Sequence, residues 1–328
     1  MENRTKIAVV FPCYRVKDYI LGVLDDIPNM IDRIYIIDDA CPQQSGDYVA
    51  RHRTDERLTI IYHEDNQGVG GAVISGYRQA IKDDCKIVVK IDGDGQMNME
   101  YLPDLLAPIL TGQADYTKGN RFFQLEYLKE MPWLRLFGNS SLSLISKISS
   151  GYWNIMDPTN GYTAIHHASL RLLPLDKLHK RYFFESDLIF RLNIIRAVVQ
   201  DIPMPARYAD IQSNLNLIAI LASFPFLHLT RFCKRFFYTY LLRDFNAGTI
   251  LMISGTVLSL GGGLFGGYHW YQSIVTGQTA SSGTVMLAAL PLLTGIQLLI
   301  SALNFDIANI PTDSLQKIMD HGKTFSKD

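Results

Sequence analysis

The chain of 328 residues is 48% hydrophobic and 19% charged, which excludes a disordered protein and leaves room for one large domain or two ordinary ones. Its 31 lysines and arginines nearly balance 32 aspartates and glutamates, so a net charge of -1 gives no general positive field to attract nucleic acid. The four cysteines show neither zinc-site spacing nor the density of a disulfide scaffold, which indicates free thiols in a reducing compartment.

Short β-branched runs alternate with helical stretches in the first part of the chain. The runs, which predict buried parallel strands, are residues 6–11, 33–38, 58–63 and 86–91. The helical stretches are residues 18–27, 46–52 and 69–82. This alternation predicts an α/β domain with a mostly parallel sheet. Ligands of such sheets bind beyond the carboxyl ends of the strands, which makes the residues that follow each run candidates for a site.

The segment IDGDGQM, residues 91–97, follows the fourth run. Asp92 and Asp94 leave a buried strand two residues apart, so both carboxylates can face one cleft. Such oxygen ligands suit Mg²⁺ or Mn²⁺ bridging a diphosphate. An ordinary Asp-Gly turn is the alternative. An EF-hand is excluded because Pro103 stands at the twelfth position.

A glycine-rich loop, NQGVGGAVISGYRQA, covers residues 66–80. It departs from the dinucleotide-binding fingerprint because Val73 stands where glycine or alanine is needed, and because it follows the third strand. The chain also lacks the P-loop motif. A nicotinamide dehydrogenase and a P-loop ATPase are therefore disfavoured, and the glycines either approach a ligand or permit tight helix packing.

Residues 245–305 contain no Asp, Glu, Lys or Arg. Two apolar blocks, residues 247–271 and 283–305, each exceed the roughly 20 residues that cross a bilayer as a helix. We expect a transmembrane hairpin. The alternative, two buried core helices, is disfavoured because the glycines of residues 261–267 would weaken a soluble helix, whereas small residues help membrane helices approach.

Basic residues flank the two apolar blocks, and the loop between them has none. The positive-inside rule places both termini in the cytoplasm, and the N-terminus does not read as a secretory signal. Residues 211–242 carry an apolar and basic aromatic pattern, which predicts two interfacial helices separated at Pro225. The expected division is a cytosolic domain (1–210), interfacial helices (211–244), a hairpin (245–306) and a cytosolic tail (307–328).

The motif order FPCY, IIDDACPQQ, NQGVGGA, DGDGQ and KGNR resembles the GT-A domain of family 2 glycosyltransferases. More narrowly, the chain is similar to polyprenyl-phosphate glycosyltransferases, the group of dolichol-phosphate mannose synthases and bacterial undecaprenyl-phosphate glucosyltransferases. The resemblance covers nearly the whole chain, since that group also ends in juxtamembrane helices and membrane spans. It implies a Rossmann-like GT-A fold and transfer, with inversion, from a nucleotide-sugar to a polyprenyl phosphate in the inner membrane. A UDP-sugar is favoured over GDP-mannose as donor.

The resemblance also implies roles for individual residues. Nucleotide contacts are expected from Pro12, Tyr14, Asp39, Asn66, Gly70 and Asp92, and metal ligation from Asp94 and Gln96. Unpaired arginines cradling the acceptor phosphate are expected at Arg121, Arg135 and Arg207. Asn160, Glu185, Asp187 and Ser213 are expected near the sugar and the acceptor. Arg15 and Val16 replace the family's Asn-Glu, and IDDACPQQ replaces DDGS-x-D, which leaves the base open.

The alternatives without a functional role are that these arginines are ordinary solvent-exposed surface residues and that Glu185 and Asp187 cap a helix. Two other functions also stay open. One is transfer to a different acceptor, although the Q-x-x-R-W motif of processive polysaccharide synthases is absent. The other is an inactive membrane-anchored scaffold that binds sugar-nucleotides. A homo-oligomer is expected because the aromatic patch of residues 232–240 could pack subunits together.

Overall fold

The computed structural model describes residues 5–123, 133–205 and 217–319. The chain divides into two compact units, one formed by Met1–Phe232 with Pro311–Asp328 and the other by Cys233–Ile310. The C-terminal segment thus groups with the first unit, whereas the sequence predicted a separate tail.

The first unit contains a seven-stranded sheet in the order β3-β2-β1-β4-β6-β5-β7. The strands are β1 (Ile7–Cys13), β2 (Arg33–Asp38), β3 (Leu58–Tyr62), β4 (Ile87–Lys90), β5 (Tyr116–Asn120), β6 (Thr163–His166) and β7 (Val199–Pro203). β6 pairs antiparallel with β4 and β5, and the other pairs are parallel. The predicted α/β fold with a mostly parallel sheet is confirmed, and the four predicted runs are β1–β4.

Seven of the described helices connect the strands of this unit, and an eighth follows β7. They are α1 (Lys17–Asp25), α2 (Ser45–His52), α3 (Val69–Lys82), α4 (Leu102–Leu110), α5 (Trp133–Ser150), α6 (His167–Leu172), α7 (Phe184–Ile194) and α8 (Leu217–Phe236). The central strands are apolar on both faces because helices cover both sides of the sheet. Val9, Phe11, Ile36 and Val89, for example, are fully buried.

The sheet topology explains where a site can form. β4, β5 and β7 end at the same edge of the sheet as β1 and β2, because β6 alone runs in the opposite direction. The loops after β4, β5 and β7 therefore meet the loop that precedes β6. These loops contain residues 91–98, 121–123, 204–205 and 157–162.

The predicted break at Pro225 is wrong, because α8 continues through this proline and a π-helix, Phe237–Arg243, follows it. Proline removes one backbone hydrogen bond, which strains a helix without necessarily ending it. Tertiary contacts hold the turns beyond it. His228 lies 2.7 Å from the Ser149 hydroxyl, and the Arg231 guanidinium donates to Asp187 at 2.5 Å.

The second unit contains α9 (Ala247–Thr276) and α10 (Ser282–Ala308), which are long and apolar enough to cross a membrane. Asn246 and Thr249 form a capping box at the start of α9, and Gly277 ends it with a φ of +68°. A Cβ on Gly262 would lie 2.7 Å from the Leu292 nitrogen. The two helices therefore pack through glycine, as the sequence predicted. Most of their large apolar side chains are exposed, unlike those of core helices in a soluble protein.

Candidate active site

A cavity of about 120 Å³ lies where the loops after β4, β5 and β7 meet the loop before β6. Five residues predicted from the sequence line it, namely Asp92, Asp94, Gln96, Arg121 and Asn160. They come from segments as distant as residues 92 and 160, so the fold brings them together. Methionine and tyrosine side chains complete its wall, among them Met97, Tyr101, Tyr162 and Met204.

The acidic side of the cavity is the turn after β4. The Asp94 carboxylate accepts a hydrogen bond from the Gln96 backbone N–H at 3.0 Å, and Gly95 between them has a φ of +76°, which favours glycine. Burial and the neighbouring Asp92 charge both raise the pKa of Asp94. The electrostatics of this corner therefore favour a bound cation.

A lysine that the sequence analysis missed lies behind these acids. Lys90, the last residue of β4, is 1% exposed, and its Nζ lies 3.0 Å from both Asp92 Oδ1 and Glu185 Oε1. Burial opposes the charged ammonium, but the two carboxylates outweigh it and raise the pKa of Lys90. Glu185 thus reaches the site through Lys90 and does not line the cavity.

Arg121 forms the basic side of the cavity, and the prediction that it is unpaired is wrong. Its Nε and Nη2 donate to the two carboxylate oxygens of Asp157 at 2.7 and 3.0 Å. The Asp157 side chain is completely buried, whereas that of Arg121 is 31% exposed. Although burial opposes ionisation, Arg121 keeps the pKa of Asp157 below its usual value. The pair fixes the guanidinium at the cavity wall.

A second buried lysine supports the loop before β6. Lys118 donates to the backbone carbonyls of Asp157 and, at 2.9 Å, of Asn160. Burial lowers its pKa to about 8. Nearby Asp201 accepts from the Asn120 side chain at 3.0 Å, and burial raises its pKa to about 7. A charged residue inside a fully buried strand was the available signal for Lys118, which lies in β5. No such signal marks Asp201, since β7 contains both buried and exposed residues.

The predicted nucleotide contact Asp39 anchors the glycine-rich loop. It is 2% exposed, and its carboxylate accepts from the Gln67 and Gly68 backbone N–H groups at 2.8 and 2.7 Å. The His63 ring lies 2.7 Å from Asp39 on one side and 2.8 Å from the Ser75 hydroxyl on the other. These bonds tie β2, β3 and α3 together, and the contact of Asp39 with base or ribose stays a prediction.

Gly70 permits close packing of α3 on the segment before α7. A Cβ at Gly70 would lie 2.4 Å from the His179 carbonyl oxygen and 2.8 Å from the Phe184 ring. The contact of Gly70 with the nucleotide stays a prediction. Asn66 is exposed, and its side-chain amide donates to the Asp39 carbonyl at 3.2 Å.

The other predicted residues lie outside the cavity or outside the described residues. Pro12 is buried in β1, and Tyr14, just beyond it, is 42% exposed. Arg135 lies in α5, and the structure describes only its backbone. Arg207 and Ser213 fall outside the described residues.

Asp187 is also misassigned by the sequence prediction, because it is completely buried away from the cavity. It accepts hydrogen bonds from the Arg231 and Arg191 Nε atoms at 2.5 and 3.1 Å and from the His179 backbone at 2.9 Å. Asp187 therefore joins α7 to α8. Glu185 and Asp187 do stand in the first turn of α7. Glu185 pairs with Lys90 of β4, and Asp187 bonds Arg231 of α8 as well as Arg191 of α7, so simple helix capping does not describe them either.

The cavity residues fit a hard divalent cation. Within residues 5–123, 133–205 and 217–319, no cluster of three His, Cys, Asp or Glu side chains forms a protein-only metal site. Mg²⁺ and similar ions are commonly held by one or two carboxylates together with substrate phosphates and water. Asp94 and Gln96 match that donor set, beside Asp92. Asp92 Oδ1 is buried and lies 3.0 Å from the Lys90 ammonium, so the Lys90 side chain already neutralises part of the charge on this carboxylate.

Two similar proteins share about a quarter of their residues with this chain. One is the UDP-N-acetylglucosamine–dolichyl-phosphate N-acetylglucosaminyltransferase of Methanococcus voltae, 25% identical over 62% of this chain and 86% of the relative. The other is the undecaprenyl-phosphate mannosyltransferase of Micrococcus luteus, 29% identical over 61% of this chain and 82% of the relative.

A solved structure shows the same fold. It is glucosyl-3-phosphoglycerate synthase from Mycobacterium tuberculosis in complex with Mn²⁺, UDP-glucose and phosphoglyceric acid, with a TM-score of 0.51 and 17% identity over 70% of this chain and 79% of the other. The model of the family described as glycosyl transferase family 2 matches residues 8–173, which contain β1 to β6 and every described residue of the cavity except those after β7. The chain belongs to glycosyltransferase family 2.

Proposed function

We propose that this chain transfers a sugar, with inversion, from a nucleotide-sugar to a polyprenyl phosphate at the membrane surface. One observation carries the proposal: the carboxylates after β4 and the Arg121 guanidinium line a single cavity. The same chain has two helices of membrane-spanning length. The names of the two similar transferases support a polyprenyl phosphate as acceptor.

The donor occupies the acidic side of the cavity in this proposal. Asp92 faces the nucleoside, while Asp94 and Gln96 would hold Mg²⁺ or Mn²⁺. The cation, when bound, offsets negative charge on the departing diphosphate. Mn²⁺ and UDP-glucose in the structure of similar fold support a divalent cation and a UDP-sugar.

The acceptor phosphate occupies the basic side. Arg121, oriented by Asp157, presents planar donors that suit a phosphate monoester. A phosphate oxygen forms the new bond to the anomeric carbon as the bond to the nucleoside diphosphate breaks. Such a phosphate is largely dianionic at neutral pH, with a second pKa near 6, so no strong general base is needed. Arg135 and Arg207 remain predicted partners of the same phosphate.

In this proposal the hairpin keeps the chain in the membrane that contains the acceptor's lipid tail. The Leu315 and Gln316 backbone N–H groups donate to the Asp115 carboxylate of the catalytic unit at 2.9 and 3.2 Å. The chain therefore returns to this unit after α10, which supports two spans with both ends on one side. We place that side in the cytoplasm and the protein in the inner membrane, as a multi-pass protein that forms homo-oligomers.

The test uses the full chain in lipid nanodiscs with UDP- or GDP-sugars, undecaprenyl or dolichyl phosphate, and Mg²⁺ or Mn²⁺. We expect release of nucleoside diphosphate and labelled sugar in the lipid fraction, both abolished by EDTA. Asp94→Asn is expected to reduce transfer by about 100-fold or more, whereas Asp26→Asn, at an exposed position after α1, retains it. Nucleotide binding without transfer would instead favour the inactive scaffold, and transfer only to a water-soluble acceptor would favour the other transferase.

A further inference from the structure

The Lys90 ammonium is enclosed at the back of the cavity. Its two carboxylate partners come from different places, Asp92 from the turn after β4 and Glu185 from α7. The opposite side is closed by Gly161, where a Cβ would lie 2.4 Å from Lys90 Nζ. A buried ammonium is retained only where carboxylates or other acceptors compensate its lost hydration. Lys90 is therefore held in one position, in contact with a residue that lines the cavity.

Lys90 also determines the charge that a ligand meets. Asp92, Asp94 and Glu185 together carry three negative charges, and Lys90 reduces their sum to two. One divalent cation balances that sum. Without Lys90, the charge of Glu185 behind the cavity would add to those of Asp92 and Asp94, which line it, and the excess negative charge would repel a diphosphate.

We propose that Lys90 is a positioning residue of the donor site, which orients Asp92 and sets the site's charge so that one divalent cation and a nucleoside diphosphate bind together. This inference rests on the proposed function. It predicts opposite effects on the affinities for the two ligands, because removal of a positive charge strengthens cation binding and weakens anion binding. Loss of packing alone would weaken both.

The experiment measures binding to the full chain at pH 8 without acceptor or turnover. Mn²⁺ binding is followed by electron paramagnetic resonance, and UDP and GDP binding by calorimetry in the presence of Mg²⁺. Lys90→Met is expected to tighten Mn²⁺ binding and weaken nucleotide binding, each by roughly tenfold. Lys86→Met, immediately before the start of β4 and with an exposed side chain, is the matched control and is expected to change neither.

Two further variants separate charge from folding. Glu185→Gln is expected to weaken Mn²⁺ binding by roughly tenfold, and it tests the inference even when Lys90→Met does not fold. The double variant Lys90→Met/Glu185→Gln restores the charge and is expected to bind Mn²⁺ like the wild type, but to bind nucleotide weakly because Asp92 is no longer oriented. Weaker binding of both ligands by Lys90→Met, or unchanged Mn²⁺ binding by Glu185→Gln, would overturn the inference. Absence of nucleotide binding by the wild type would overturn the proposed function as well.

Discussion

Removal of Arg121 is expected to destabilise the protein more than removal of its partner Asp157. Arg121→Ala leaves a carboxylate that is completely buried without the two guanidinium bonds of 2.7 and 3.0 Å. Asp157→Asn instead leaves an arginine that is 31% exposed and can be hydrated. The asymmetry follows from burial, because an uncompensated charge costs most where water cannot reach it.

The magnitudes follow from the same geometry. Removal of one partner of a buried ion pair lowers the free energy of unfolding by about 3 kcal/mol, and we expect this loss for Arg121→Ala. For Asp157→Asn we expect about 1.5 kcal/mol, the value of a lost hydrogen bond to a charged group. A cost of about 3 kcal/mol lowers the melting temperature of a unit of this size by about 6 to 12 °C. The double variant removes the buried charge together with its partner, so it should be more stable than Arg121→Ala alone.

Thermal unfolding of the four proteins in the same detergent gives this double-mutant cycle. Arg171→Ala is the control, since Arg171 also pairs with an aspartate but both side chains are more than half exposed. We expect its melting temperature to equal that of the wild type. The reasoning is refuted if Asp157→Asn fails to raise the melting temperature of Arg121→Ala, or if Arg121→Ala melts like the control.

Three other outcomes are expected from the structure. Gly70→Ala should lower the free energy of unfolding measured in urea by about 1 to 3 kcal/mol, because the added Cβ would lie 2.4 Å from a carbonyl oxygen. Gly22→Ala, which has open space around it in α1, should leave the free energy of unfolding unchanged or raise it. Asp115→Ala should cost at least about 2 kcal/mol and expose the segment after α10 to proteases, since three backbone N–H groups lose their acceptor. Burial lowers the pKa of His228 in the folded protein to about 4. As the pH falls below 6.5, His228 therefore takes up a proton in the unfolded chain before it does so in the folded protein, and stability is lost between about pH 6.5 and pH 4. His228→Phe should therefore lose about 2 kcal/mol less than the wild type between pH 7 and 5; equal losses would contradict this assignment.

The fold could be predicted because its strands and helices follow from short-range sequence patterns. Four β-branched runs became β1–β4, and α3 has the predicted bounds, since a strand buried on both faces and an amphipathic helix each leave a pattern within a few residues. Pro225 shows the limit of this approach. Local propensity favours a break there, but contacts with residues about 80 and 44 positions away hold the helix beyond it.

The site could be predicted only for those of its residues that directly follow a strand. Asp92, Asp94 and Gln96 follow the predicted strand β4, so the sheet topology places them at its ligand-binding edge. Arg121 follows β5, which the sequence did not predict, and its candidacy came from the family resemblance. The buried position of Asp187 and the close packing at Gly70 were not predicted, because both depend on residues far away in the sequence. Nothing in a single sequence says that Arg231 reaches Asp187, or that the His179 carbonyl lies against Gly70.

The two buried lysines show what a stricter physical interpretation of the strands would have found. Lys90 and Lys118 each interrupt a run that is otherwise buried, and a charge at such a position is costly unless the fold supplies partners for it. Lys90 is the last residue of β4, at the edge of the sheet where the cavity forms, and Lys118 stands in the middle of β5. A lone charge in a buried strand therefore points to a site even before its partners are known. Lys90 contacts an aspartate of the cavity, so substitution of Lys90 should change the charge that a ligand meets. Lys118 donates to two backbone carbonyls of the loop before β6, so substitution of Lys118 should change the conformation of that loop.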